Sequence, residues 1–187
     1  MAELAHSQEP KKSEVASLQG HDEIISQLRT AYAAFNRGDF DAAVAVLDPK
    51  IEWTEPLEFP GGGTYHGREA VKRYLTQSRA GWAEGSSEPE RFITAGDRHR
   101  IVVFVCARFR PRDSNEWQEV ELADVYSVRG GRIVQLRAFT DRQQALSWAD
   151  GEIPNSKELG RTRAMVRYRI KSMTSDTPAQ DRGGPRK

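Results

Sequence analysis

Apolar residues recur at helical spacing over the first half of the chain and at alternate positions over much of the second, and the change of period divides it into elements. In "HDEIISQLRTAYAAFNRGD", Ile24, Leu28, Tyr32 and Phe35 fall near one face of a helix of about four turns, with Asp22 placed to cap it and Gly38 to stop it. "DFDAAVAVLDPK" predicts a second, shorter helix that Asp39 caps and Pro49 ends, because the residue before a proline is driven out of helical geometry. "IEWTEP" then alternates as a strand, with Ile51, Trp53 and Glu55 in its inward row, and runs into a glycine-rich loop, "GGGTYHG". "GREAVKRYLTQSRAGW" restores the helical period through Val71, Tyr74, Leu75, Ser78 and Trp82.

From Glu88 onward the period is two. "ERFITAGD", "HRIVVFVCARFRP", "WQEVELADVYSV" and "RIVQLRAFT" are strand candidates joined by short polar or glycine turns, which predicts an antiparallel meander. "DRQQALSWAD" closes the pattern as a brief helix ended by Gly151 and Pro154. Three helices near the N-terminus and a mainly antiparallel, curved sheet make an α+β domain in which the helices cover one face of the sheet. The expected organisation is a disordered tail over 1–20, one domain over 21–152, and a basic, poorly ordered tail over 153–187.

Composition adds little to this picture and excludes a good deal. At 187 residues, with 37% hydrophobic and 29% charged residues, the chain supports one core, and no apolar run approaches the roughly 18 residues of a membrane span. The N-terminal stretch carries no apolar signal core, and the single Cys106 leaves neither a disulfide framework nor a cysteine zinc cluster, so a reducing cytoplasm is the expected location. Residues 161–187 hold eight Lys/Arg against two Asp/Glu, a balance of +6, so the net +1 leaves −5 on residues 1–160. A folded part that is acidic and has no base-stacking motif argues against nucleic acid as a partner.

The chemistry sits in two exceptions to the alternation. In "VELADVYSV" the row Val120, Leu122, Asp124, Tyr126 and Val128 is the covered face, so Asp124 stands in an apolar row as Glu55 does in its own strand. Buried carboxyls need partners or protons, and two near each other titrate apart, which would set a general base against a neutral hydrogen-bond donor. The alternative is structural: Arg137, Arg108 or a tyrosine hydroxyl satisfies Asp124, and Glu55 turns to solvent. His66 in the glycine loop is a candidate acid. Trp53, Tyr74, Trp82, Phe104 and Tyr126 fall on faces read as inward and are candidate pocket walls for a hydrophobic small molecule. Cys106 reads as a small buried hydrophobe, and no residue set has metal-ligand spacing.

"AYAAFNRGDFDAAVAVLDPKIEWTEP", "GTYHGREAVKRYL" and "ADVYSVRGGRIVQLRAFTDRQQAL" resemble the NTF2-like superfamily, in particular its SnoaL-like polyketide cyclase and ketosteroid isomerase branch, over about residues 20–150. The resemblance implies a cone-shaped fold around an apolar cavity, commonly a homodimer, and chemistry without a cofactor. It places Glu55, followed by Pro56, at the position of the isomerases' proton-shuttling base, and Asp124 at that of the protonated aspartate that stabilises the enolate. In the cyclases an acid and a nearby histidine assist ring closure, roles open to Asp124 and His66. Aligned on "NRGD", the isomerases' helix tyrosine falls on Ala31; one residue turns a helical side chain by about 100°, so Tyr32 is expected to miss the cavity. The fold serves many activities. Two readings therefore stand: a cofactor-independent isomerase or cyclase acting on an apolar carbonyl compound, and a non-catalytic ligand-binding or dimerisation module.

Overall fold

A computed structural model describes the backbone of residues 12–96 and 99–151 and the side chains of residues 20–96 and 99–151. The elements are α1 (Lys12–Asn36), α2 (Phe40–Val44), β1 (Leu47–Glu55), β2 (Gly63–His66), α3 (Arg68–Ala80), β3 (Trp82–Ala95), β4 (Arg100–Pro111), β5 (Gln118–Arg129), β6 (Arg132–Phe139) and α4 (Arg142–Ala149). Two helices precede the first strand, and the third follows the β1–β2 hairpin. The strands form one curved, open sheet in the order β2-β1-β6-β5-β4-β3. Its neighbours are antiparallel except β1 and β6, which run parallel.

The apolar face of α1 is the one the spacing predicts: Ile24, Leu28, Tyr32 and Phe35 are all buried. The helix begins at Lys12, however, so it takes in residues 12–20 that the pattern assigned to a tail, and Asp22 lies inside it instead of capping it. The expected tail over 153–187 lies outside the described residues, as do residues 1–11 of the expected N-terminal one. Gly38 turns the chain at a φ of +79°, where a side chain would be strained, and Asp39 caps α2 by accepting from the Ala42 N–H at 3.1 Å.

The second helix is shorter than its composition suggests. It ends at Val44, and Leu47, Asp48 and Pro49 belong to β1. Leu47 pairs with Ile133 of β6, and the register slips between Leu47 and Glu52, so Pro49 sits at an irregularity where its missing N–H costs no ladder bond. Part of the glycine-rich loop is likewise a strand: β2 pairs Glu52 with His66 and Glu55 with Gly63. Trp82 leaves the helical pattern and opens β3.

Apolar clusters pack against both faces of the sheet. On the inner face, Ile101, Val103 and Val105 of β4 meet Ile24, Leu28 and Tyr32 of α1, Ile51 and Trp53 of β1, and Val71 and Tyr74 of α3. On the outer face, α4 lays Ala145 and Ala149 over Val102, Phe104, Ala123 and Val125. Phe104 is therefore on the side opposite its expected one. Buried on both faces, "IVVFV" shows no alternation from which inward and outward could be read. The same parity leaves Cys106 half-buried on the outer face instead of in the core. None of the described helices is long and apolar enough to cross a membrane.

The long β3 curves along β4 through register shifts at Trp82/Glu84 and Pro89/Arg91. Between Glu84 and Ser86, Gly85 adopts a φ of +136°, and a Cβ there would lie 2.4 Å from the Arg108 carbonyl oxygen and from the Phe109 Cα, both backbone atoms. Gly85→Ala is expected to lower unfolding free energy by about 1–3 kcal/mol through strain. Urea denaturation measures it; Gly20→Ala, which meets nothing within 4 Å, should show no such loss.

Candidate active site

Alternation along β1 carries the argument from sequence to site. Ile51, Trp53 and Glu55 point to the inner face, and because the strand ends at Glu55 its carboxyl reaches the interior while the chain turns away through Pro56. On β5 the same alternation carries Val120, Leu122, Asp124 and Tyr126 inward. α1 contributes Leu28, Ala31, Tyr32 and Phe35, α3 contributes Tyr74, Leu75 and Ser78, and the β1–β2 connection contributes Phe59, Pro60 and Gly61. Together they enclose an open cavity of about 550 Å³, walled mainly by apolar side chains, into which both carboxyls project.

Each carboxyl is 9% exposed, and each is held by aromatic donors. The Tyr32 hydroxyl donates to Asp124 Oδ2 at 2.6 Å and lies 2.9 Å from the Tyr126 hydroxyl, which is itself 3.5 Å from Oδ2. The Trp53 indole Nε1–H donates to Glu55 Oε1 at 2.7 Å, and the Tyr74 hydroxyl also hydrogen-bonds Glu55. No Arg, Lys or His forms an ion pair with either acid among the described residues. Arg137 stacks over Phe139 on the outer face and Arg108 over Trp117, so neither of the expected cations is a partner of Asp124.

The surroundings order the two titrations. Burial pushes Glu55 up to about 8, with the charge of Asp124 adding to the rise and the Trp53 and Tyr74 bonds opposing it. Burial also raises Asp124, but the Tyr32 and Tyr126 hydroxyls stabilise its charged form and hold it at about 6. Asp124 thus ionises first and Glu55 keeps its proton at neutral pH, the opposite of the roles implied by the resemblance. Burial, followed by the nearby carboxylate charges, raises Tyr32 and Tyr74, and burial leads the rise at Tyr126 as well, so all three remain hydrogen-bond donors.

Glu55, Asp124, Trp53, Tyr74, Trp82 and Tyr126 are brought together around one cavity. His66 is not: it is exposed on β2, paired with Glu52, whose side chain takes the face of β1 opposite Glu55. Phe104 lies beneath α4. Tyr32 is the correction that matters most. It enters the cavity in line with Leu28 and Ile24, one and two turns before it on the buried face, and Ala31 lines the cavity beside it. Helical periodicity placed Tyr32 inward; alignment on "NRGD" placed it outward, and the packing of α1 follows the periodicity. Among the described residues no group of three or more His, Cys, Asp or Glu is placed to hold a metal ion.

A SnoaL-like domain profile matches residues 28–136, more than half of the chain and the span that contains every residue of the cavity's two acid clusters. The chain belongs to the SnoaL-like family. This SnoaL-like protein is similar in structure to an NTF2-like protein of unknown function from Burkholderia pseudomallei, at 26% identity and a TM-score of 0.55 over 67% of this chain and 95% of the other. A second NTF2-like protein, from Burkholderia xenovorans, shares 29% identity and a TM-score of 0.53 over 69% and 96% of the two chains. The epoxide hydrolase/cyclase-like enzyme SalBIII, described in pyran ring formation in the polyether salinomycin, shares the fold at 21% identity and a TM-score of 0.54 over 67% and 94%. No curated protein matches the sequence.

The raised Glu55 has a measurable consequence. Its ordinary value is 4.5 and its folded value about 8, so between those limits the folded chain holds a proton that the unfolded chain has lost. That contribution to stability is present in full below about pH 4.5 and is lost as pH rises towards 8. Unfolding free energy should therefore fall between pH 6 and 8 in the wild type and fall less steeply in Glu55→Gln, as read by urea denaturation across that range.

Proposed function

We propose that this SnoaL-like protein binds an apolar carbonyl compound in its cavity and moves a proton beside the carbonyl, as an isomerase or cyclase does, using its own carboxyls and no cofactor. The observation that carries the reading is the pair of buried acids without cationic partners, held by aromatic donors that leave one charged and one neutral near pH 7. Asp124, as the carboxylate, takes a proton from the carbon next to the carbonyl. Glu55, protonated, donates a hydrogen bond to the carbonyl oxygen as negative charge develops there, and the apolar walls exclude the water that would compete. Tyr32 and Tyr126 keep Asp124 ionised without neutralising it, which an arginine would do at the expense of basicity.

A second reading has its own observation. The Tyr32 and Tyr126 hydroxyls already satisfy Asp124, which suits a purely structural carboxylate in a ligand-binding module. For the homodimer implied by the family resemblance, α4 covers the middle of the outer sheet face, so a second copy would meet the rows beside that helix.

The two readings separate on deuterium exchange. In D2O, a ring ketone such as 2-tetralone should take up deuterium next to its carbonyl faster in the presence of the protein, with a rate maximum between about pH 6 and 8 set by Asp124 below and Glu55 above. Asp124→Asn should slow exchange by about 10²–10⁴-fold as a lost base. Glu55→Gln should slow it by about 10²–10³-fold as a lost donor and remove the alkaline limb. Ring ketones that bind, yet exchange no faster than in buffer, would establish the binding module.

A further inference from the structure

Resting on the carbonyl-binding reading above, we infer that the natural ligand is polar at both ends, with a second hydroxyl, carbonyl or amide group held by Gln118 and Ser78 at the end of the cavity away from the two acids. The inner row of β5 runs Gln118, Val120, Leu122, Asp124 in unbroken register with β4, so it forms a continuous floor with a polar residue at each end and two apolar ones between. At about 3.3 Å per residue, the six steps from Asp124 to Gln118 span about 20 Å. A carbonyl seated at Asp124 and Glu55 therefore leaves room for three or four fused rings before Gln118 is reached.

The far end is built from both layers. Gln118 pairs with Phe109, whose ring stacks on Trp82 at 4.6 Å and an interplanar angle of 7°, giving a flat wall suited to a ring system. Ser78 lies one helical turn beyond Tyr74 on α3, just ahead of the Gly81–Trp82 corner, so it stands at the same end as that stacked pair. The Gln118 amide and the Ser78 hydroxyl line the cavity, half-buried, and neither forms a hydrogen bond with another described residue. Two other half-buried amides do find protein partners: Asn36 bonds Ser87 and Gln135 bonds Glu52. A purely apolar far end would strip water from Gln118 and Ser78 and return no bond, whereas a ligand with a distal polar group replaces that water directly.

The test uses three synthetic compounds that share one rigid four-ring skeleton: the ketone, the ketone bearing a hydroxyl on its far ring, and the parent hydrocarbon. Each is titrated into the full chain while tryptophan fluorescence is followed, since Trp53 and Trp82 line the cavity. The hydroxyketone should bind about threefold to tenfold more tightly than the ketone, and in Gln118→Leu/Ser78→Ala that preference should fall to about one. Equal binding of the two ketones by the wild type, or a preference that survives the double substitution, overturns the distal site. A hydrocarbon that binds as tightly as the ketone counts instead against the carbonyl site, and binding of none of the three counts against both. Circular dichroism of the double variant establishes that it is folded; should it not be, Gln118→Glu, which keeps the side chain's shape and removes its N–H donors, is titrated with the same three compounds and should change the preference by a comparable factor.

Discussion

Removing a carboxyl from water disfavours its charge, and this protein does so twice in one cavity. Everything else at the site answers that cost. Tyr32 and Tyr126 supply hydroxyl donors to Asp124, Trp53 and Tyr74 supply donors to Glu55, and no cation intervenes. Because burial raises both acids, and because the charge of Asp124 then raises the cost of a second charge on Glu55, the two separate into a charged and a neutral partner. Four elements, α1, α3, β1 and β5, must hold their positions for that separation to persist.

The sheet makes those positions possible. β1 and β5 are not paired; β6 lies between them, parallel to β1 and antiparallel to β5. Leu136 of β6 pairs with both Trp53 and Tyr126, so the indole that holds Glu55 and one of the hydroxyls beside Asp124 rise from either side of Leu136 in a single cross-strand row. α1 then crosses the inner face and brings Tyr32 to the same spot. On the other side of the sheet, α4 closes the second apolar cluster, which leaves β4 buried on both faces and stiffens the floor of the cavity.

Part of this was legible beforehand. Alternation placed Glu55 and Asp124 inward without any alignment, and helical spacing named the buried face of α1, Tyr32 included. What alternation could not resolve was β4, where apolar residues on both faces erase the period, and there Phe104 and Cys106 were assigned to the wrong side. The glycine-rich stretch read as a loop because glycine propensity says nothing about a nearby strand edge; pairing with β1 makes Gly63–His66 a strand and turns His66 away from the cavity. Val46 and Leu47 looked helical until a parallel partner, Ile133, was available to hold Leu47 extended.

By itself the sequence determined the period of most elements, the inward rows of β1 and β5, and therefore that two acids would face an apolar interior. Those facts are local, set by backbone geometry over a few residues. Only the tertiary structure decided which donors meet which acid, and with that the order in which the acids ionise. Tyr32 and Asp124 are 92 positions apart in the chain, and a bond of 2.6 Å between them depends on how α1 lies across the sheet. A proton's preferred site depends on such distances, which residue spacing along the chain does not encode.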